Sequence, residues 1–248
     1  MKIAIAQPTF LPWLGYFDLI DQADCFVLLD DVQFEKQSWQ QRNRIKGPSG
    51  LQWLTVPVVF RGRLSQRIVE VEIREQDFWK SHLRAIELSY RRTPYFDQYF
   101  PQLAKIFQAH NGLLAELNCS VIGWLCELLG IFTKRVHSSE LKQIGKRSEL
   151  LVNLCRRLGA NSYLSPLGSA GYLLEELGWF SDAGIQVAFQ HYEHPRYRQL
   201  FSPFCPYATV LDLIFNEGSR SMEIVRSGRR VPFAPEELMA SAGSEKKL

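Results

Sequence analysis

Apolar and polar positions alternate in blocks along this chain, and the blocks predict strands and helices in turn. Met1–Gln7, built on Ile3-Ala4-Ile5-Ala6, is short, apolar and β-branched at alternate positions, as a buried strand is. It ends in Gln7-Pro8-Thr9-Phe10-Leu11-Pro12-Trp13, a proline-rich turn, and Leu14–Gln22 then reads as a helix. Cys25–Leu29 predicts a second buried strand, closed by Asp30-Asp31. Strand and helix in alternation predict a parallel sheet. Such sheets place ligands at the carboxyl ends of their strands.

Residues 32–50 read as irregular, with Lys46-Gly47-Pro48-Ser49-Gly50 as a turn. Trp53 to Val59 is strand-like, Arg61-Gly62-Arg63 is a turn, and Gln66 to Ile73 alternates like a half-exposed strand. That pair predicts a hairpin appended to the sheet. Three amphipathic stripes follow at spacings of three and four: Trp79, Leu83, Ile86 and Tyr90; Phe96, Tyr99, Phe100, Leu103, Ile106 and Phe107; Leu114, Leu117, Val121, Trp124, Leu125 and Leu128. Thr93-Pro94 and Asn111-Gly112 divide them. Further on come a strand near 133–138, a helix ended by Gly159, a strand at Tyr163-Leu164-Ser165, a small-residue loop from Leu167 to Gly171, a helix over 172–183, a strand over 185–189, and helices near 210–215 and 221–225. The expected architecture is α/β, with a Rossmann-like parallel sheet core, the appended hairpin and a helical segment near 76–130. Residues 1–235 are expected to form one domain and 236–248 a disordered tail.

Composition narrows the class. The chain has 248 residues, 46% hydrophobic and 22% charged, which suits a globular protein with a sizeable core. Its net charge of +3 is mildly basic, well short of the strongly clustered signature of a nucleic-acid binder. Five cysteines, with no Cys-x-x-Cys pair, read as buried thiols in a reducing compartment. The first residues lack a leader's apolar stretch, and the apolar run from Val121 to Phe132 is too short to span a bilayer. A cytoplasmic protein is expected.

Candidate chemistry gathers at the strand ends. The turn after Gln7 exposes backbone N–H groups at a helix start, where Gly15 lets a phosphate approach and Tyr16 and Gln7 position a substrate. Asp30 and Asp31 are either catalytic carboxylates able to take Mg²⁺ or an Asx turn. Between Glu35 and Arg63 lie six basic residues and one acidic one, with Trp39 and Trp53 among them. Of these, Arg42 and Arg44, flanking Asn43, suit paired phosphate contacts. Lys146, which with Lys142 and Arg147 precedes a helix whose first turn includes Ser148 and Glu149, and Gly168-Ser169, in a small-residue loop, are further phosphate candidates. In His191-Tyr192-Glu193-His194-Pro195-Arg196-Tyr197 the two histidines face opposite ways on an extended backbone, so a shared metal is not expected. His194 is the general acid/base candidate.

On these residues the chain resembles the WbqC-like family of bacterial proteins. The stretches that carry the likeness are Gln7-Pro8 with Pro12 and Gly15-Tyr16; Asp31-Val32-Gln33-Phe34 with Trp39, Arg42 and Asn43; Leu54-Thr55-Val56-Pro57-Val58; Tyr163-Leu164-Ser165; and His194-Pro195 through Tyr197, Phe204, Asp212, Asn216 and Gly218. Gln33, Asn43 and Tyr197 join the expected substrate contacts. The resemblance implies a place in O-antigen and related surface-polysaccharide synthesis, with a glycine-transferring role suggested. The strand, Pro-Thr-Phe, Gly, helix layout is also similar to the start of pantothenate-synthetase-type nucleotidylyl transferases, which activate a carboxylate with ATP and then form an amide. Trp13 and Tyr16 stand where the spacing would put that family's two histidines.

The expected function is therefore transfer of an acyl or aminoacyl group to a nucleotide-linked amino sugar, with ATP and Mg²⁺ as possible co-reactants. The alternatives are a non-catalytic nucleotide-sugar or partner-binding protein of the same pathway, and an RNA-associated protein. All versions require the segments beginning at Gln7, Asp30 and Arg42 to share one pocket.

Overall fold

The computed structural model describes residues 1–63 and 65–245. Five parallel strands form the central sheet: β1 (Lys2–Ala6), β2 (Cys25–Leu28), β5 (Lys134–His137), β6 (Ser162–Ser165) and β7 (Gln186–Phe189), in the order β5-β2-β1-β6-β7. The chain builds outward from β1 to β5, then returns to the middle and builds the other way. The reversal lies between β1 and β6, and a ligand crevice opens at such a switch point.

Residue alternation along the strands sorts side chains between two cores. Ala4, Phe26 and Leu28 face a large cluster, whereas Ile3, Ile5, Cys25 and Val27 face a smaller one. On the larger side lie α1 (Leu14–Asp21), the helical segment α2 (Trp79–Tyr90), α3 (Phe96–Gln108) and α4 (Leu114–Leu128), α9 (Val210–Glu217) and α10 (Ser221–Ser227). On the smaller side lie α6 (Ser148–Leu158) and the one-turn helices α7 (Ala170–Leu173) and α8 (Gly178–Ser181). The one-turn α5 (Ser138–Leu141) caps β5. With helices on both faces, the sheet is the expected Rossmann-like α/β core. The last helix, α11 (Pro235–Glu245), runs into the stretch expected as a tail, and residues 246–248 of that stretch lie outside the described residues.

The hairpin exists but is formed by different residues. Arg42–Gly47 (β3) pairs antiparallel with Gly50–Thr55 (β4) around Pro48-Ser49, inside the region expected to be irregular. Polar residues hide this strand from a hydrophobicity pattern. Asn43 and Lys46 are buried through hydrogen bonds, and the Arg42 guanidinium covers the Trp53 ring at 4.4 Å. The expected partners at 53–59 and 66–73 form no strand pair: they meet at a Val58–Ile73 bridge and through hydrogen bonds from Val59 N–H to the Glu72 carbonyl (2.9 Å) and from the Gln66 amide to the Val59 carbonyl (3.0 Å), and Ile68–Glu70 is a 3-10 turn. The helix expected over 172–183 is broken into α7 and α8.

The turn between β1 and α1 is buried, irregular and held from two sides. Asn118 on α4 donates to the Pro8 carbonyl at 3.0 Å and the Gln40 carbonyl at 2.8 Å. Asn43 on β3 donates to the carbonyls of Phe10 (3.2 Å) and Leu11 (2.8 Å). Leu11 sits at φ 45°, a left-handed conformation uncommon for leucine that the Asn43 bond helps hold. Carbonyls buried in irregular backbone need such donors. Asn118→Leu, close in volume, is expected to lower the unfolding free energy by about 2 kcal/mol in urea titrations. A loss near zero would show that these carbonyls do not depend on Asn118.

Candidate ligand cleft

At the switch point a cavity of ≈ 650 Å³ runs across the carboxyl ends of β1 and β6. Its floor and walls include Gln7, Gly15 and Tyr16 from the β1–α1 turn, Gly168 and Ser169 from the loop after β6, and the rings of Trp13, Trp39, Tyr172, Tyr192 and Tyr207. Two hollows open off it. One, of ≈ 390 Å³, shares Gln7, Leu29, Leu151 and Tyr172 and ends at Arg147. The other, of ≈ 330 Å³, shares Thr9, Trp13, Tyr16, Trp39 and Tyr207 and ends at Asn43 and Arg44. Together they make one aromatic-walled groove with a guanidinium at either end. Its volume and its apolar walls with few polar groups are those of small-molecule sites.

Hydrogen bonds fix the middle of the groove. The Tyr16 hydroxyl donates to the Gln7 carbonyl at 3.0 Å, and the Gln7 side-chain oxygen accepts from Gln40 at 2.8 Å. Burial pushes the Tyr16 phenol well above its ordinary value, so it stays a neutral donor. Gly15 is required because a Cβ there would run into the Trp13 ring. From the other wall, Gln190 donates at 2.8 Å both to the Gly15 carbonyl and to Asp18, and the fully buried Asp18 accepts from Arg229 at 2.7 Å.

At the hairpin end, the Arg44 guanidinium lies 5.6 Å from the Trp39 ring and 5.4 Å from the Trp53 ring. Its buried Nε has no hydrogen-bond partner. Arg42 stacks on Trp53 on the outer side of this ladder and does not line the groove.

His194 stands one ring behind the wall. It stacks on Trp13 at 6.3 Å and lies edge-on to Tyr207 at 5.1 Å. Nδ1 is 2.9 Å from the Pro195 carbonyl, which can only accept, so Nδ1 carries the proton and Nε2 is left with a bare lone pair. That Nε2 is buried without a partner, and burial holds the imidazole below its ordinary value and neutral. Tyr197 lies further back and donates to Asp212 at 2.8 Å. Burial pushes the Asp212 carboxyl up to about 6.

The two aspartates after β2 are drawn away from the groove into a clasp between β2 and β5. Asp30 is buried and accepts from Ser138 Oγ (3.1 Å), Ser139 N (2.9 Å) and Ser139 Oγ (3.0 Å), with His137 Nδ1 at 2.8 Å. Asp31 accepts from Ser138 Oγ. With both Asp30 oxygens engaged, this pair does not fit a magnesium site, and among the described residues no group of three or more His, Cys, Asp or Glu is placed to hold a metal ion. The expected shared pocket thus unites the Gln7 and Arg42–Arg44 segments, and the Asp30 segment reaches its side hollow through Val32 but not through its two carboxylates. Gln33 is exposed and bridges to Arg67, and Lys146 is exposed beside Arg147, which is the cation that lines the groove. Tyr207 and Gln190 had no sequence signal beyond their residue type.

The fold and groove define a Rossmann-like α/β protein with a candidate ligand cleft at its topological switch point. The chain belongs to the WbqC-like protein family, which matches residues 7–224. It is 37% identical over 231 residues to a protein of Mycobacterium tuberculosis (strain ATCC 25618 / H37Rv), described as uncharacterized protein Rv1507c. That match covers 92% of this chain and 99% of the mycobacterial one. No solved structure matches. No helix among the described residues is long and apolar enough to cross a membrane.

The clasp has a pH signature. Burial pushes Asp30 up, but bonds from His137 and Ser139 outweigh it and hold the carboxyl below its ordinary 3.8. Its contribution to stability is therefore present above about pH 4 and lost as pH falls through the lowered native value. His137 is raised above 6.5, chiefly by its bond to Asp30. Its contribution is present below 6.5 and lost as pH rises through the raised native value. Melting temperature should fall as pH rises from 6.5 through the raised native value of His137, and His137→Gln should remove that fall. Identical profiles would show that the clasp does not titrate.

Proposed function

We propose that this protein transfers an acyl or aminoacyl group, glycine among the candidates, to the amino group of a nucleotide-linked sugar in surface-polysaccharide synthesis. The observation that carries this reading is the groove itself. It is long enough for an extended ligand, has aromatic faces for a base and sugar, and has a guanidinium at each end for phosphate or carboxylate. Gly168 and Ser169 offer backbone without bulk at the switch point.

In this reading Gln7 and Tyr16 position the substrate, Arg44 and Asn43 mark one end of the site, and Arg42 supports Arg44 through the tryptophan pair. ATP activates the donor carboxylate. The sugar amine then attacks the carbonyl carbon, the new C–N bond replaces the C–O bond to phosphate, and the amine proton leaves. The bare Nε2 of His194 is the base for that proton, with Tyr207 the ring that must shift to admit it. Asp30 and Asp31 act through the clasp rather than on substrate.

One observation favours a second reading, non-catalytic binding of a nucleotide sugar. The turn after β1 presents Trp13 and Tyr16 instead of a histidine pair, and the Tyr16 hydroxyl is already spent on Gln7.

Incubation with glycine, ATP and a set of nucleotide-linked amino sugars should give acylated sugar with matching release of AMP or ADP. Absence of both products alongside tight sugar-nucleotide binding would favour the second reading. His194→Phe keeps the aromatic stack and should cut the acylation rate by about 100-fold while leaving sugar-nucleotide affinity intact. An unchanged rate would remove His194 from the reaction.

A further inference from the structure

Behind the Arg44 end of the groove, a buried lysine is set against a cysteine. Lys46 on β3 is 1% exposed, a burial that lysines accept only when paired. Its Nζ donates to the Pro203 carbonyl at 2.9 Å and to Cys205 Sγ at 3.1 Å. Both residues are held in place. The Lys46 N–H donates to the Tyr90 hydroxyl at 2.8 Å. The Gln199 side chain clamps Cys205, accepting from its N–H at 2.8 Å and donating to its carbonyl at 2.9 Å. The same amide donates to the buried Asp212 at 2.8 Å. Nitrogen and sulfur are therefore fixed at a separation from which a bond can form with little further ordering.

Cys205 stands apart from the other four cysteines. Cys25, Cys126 and Cys155 are buried, and burial pushes the Cys126 thiol up to about 11 and those of Cys119 and Cys155 up to about 12. Cys205 is partly exposed and accepts from an ammonium, so a small oxidant can reach a sulfur in an electropositive setting. All five cysteines are free, and the group at the Cys205 sulfur is an amine.

We infer that Cys205 and Lys46 form an oxidative modification site, at which hydrogen peroxide joins the sulfur to the lysine nitrogen in a thiol-reversible S–N bond. The sulfur attacks one peroxide oxygen, the O–O bond breaks, and a sulfenic acid and one water result. The Lys46 ammonium gives a proton to solvent. Its nitrogen then attacks the sulfur, the S–N bond replaces the S–OH bond, and the hydroxyl leaves as a second water with an amine proton. Sulfur is oxidised and both peroxide oxygens are reduced. A dithiol reverses the step: it attacks the sulfur, releases the amine, and leaves as a disulfide while the Cys205 thiol is restored.

The bond bears on the groove. Lys46 lies two residues from Arg44 on one face of β3, and Cys205 lies two residues from Tyr207. Arg44 Nη2 already meets the Tyr207 carbonyl at 3.5 Å. Joining Lys46 to Cys205 pins residues 199–207 to the hairpin and restrains the Tyr207 ring. Slower acyl transfer in the joined protein rests on the reading above; the bond itself does not.

Peroxide treatment of the natural protein, followed by intact mass, peptide mapping and hydrogen exchange, tests this. The protein should lose two hydrogens, and the peptides carrying residues 46 and 205 should be joined. Dithiothreitol should restore both. Exchange of the amides in 199–207 should slow by about tenfold in the joined form. Cys205→Ser should abolish the change. Lys46→Met should leave Cys205 to oxidise onward to the sulfinic acid. Mapping in the natural protein decides the pairing even if that variant folds poorly. Sulfinic acid at Cys205 beside an unmodified Lys46 in the natural protein would overturn the site. So would a bond from Cys205 to a backbone nitrogen or to any other residue. A joined pair with unchanged exchange in 199–207 would refute the restraint on the groove. Joined peptides in a protein without transfer activity would refute the transfer reading alone.

Discussion

A stretch of backbone that cannot pair with itself must be held by side chains, and here the hold falls on two buried asparagine amides. Residues 8–11 leave the central strand, turn through the interior and enter α1 without belonging to a helix or strand. Asn118 and Asn43 take up four carbonyls in and beside that turn. The turn in turn presents Gln7, Trp13, Gly15 and Tyr16, which make the groove's floor. The hairpin owes its position to the same constraint, because Asn43 lies on β3 and the Thr209 N–H donates to the Arg44 carbonyl while Val210 N–H donates to Pro12. A single polar core thus ties sheet, hairpin, α4 and α9 to one ligand-facing loop.

Charge is distributed in keeping with that arrangement. The carboxylates nearest the groove are spent on internal partners. Asp30 and Asp31 clasp β2 to β5, Asp18 is paired with Arg229 and Gln190, and Asp212 is buried beneath Tyr197. Arg44 and Arg147 remain at the groove's ends, one beside the Trp39–Trp53 pair and the other engaged by Glu176. Such a groove attracts anions and excludes solvent with aromatic faces. Nε2 of His194, the base proposed above, is kept unprotonated by burial.

The parts of this molecule written as apolar periodicity were legible from the residues. β1, β2 and the stripes of α2, α3 and α4 could be drawn from spacing alone, because each buries a continuous face. β3 could not, since Arg42, Asn43, Arg44 and Lys46 earn their places by stacking and hydrogen bonding rather than by hydrophobicity. The same limit applies to the site. Gln7, Gly15, Tyr16, Gly168 and Ser169 meet because strand ends of a parallel sheet converge, a rule readable in sequence, whereas Arg44 arrives on the separate hairpin. Whether Asp30 faces the groove or Ser138 and Ser139 depends on the tertiary packing of β2 against β5, and Arg147 rather than Lys146 lines the groove because of the backbone twist at residue 147.

The most direct measurement is a crystal structure of the protein soaked with a nucleoside-diphosphate-linked amino sugar. The account predicts density along the groove between Arg44 and Arg147, passing over Gly168 and Ser169. A ligand seated instead at the Asp30–His137 clasp, or anywhere off the carboxyl ends of β1 and β6, would contradict it.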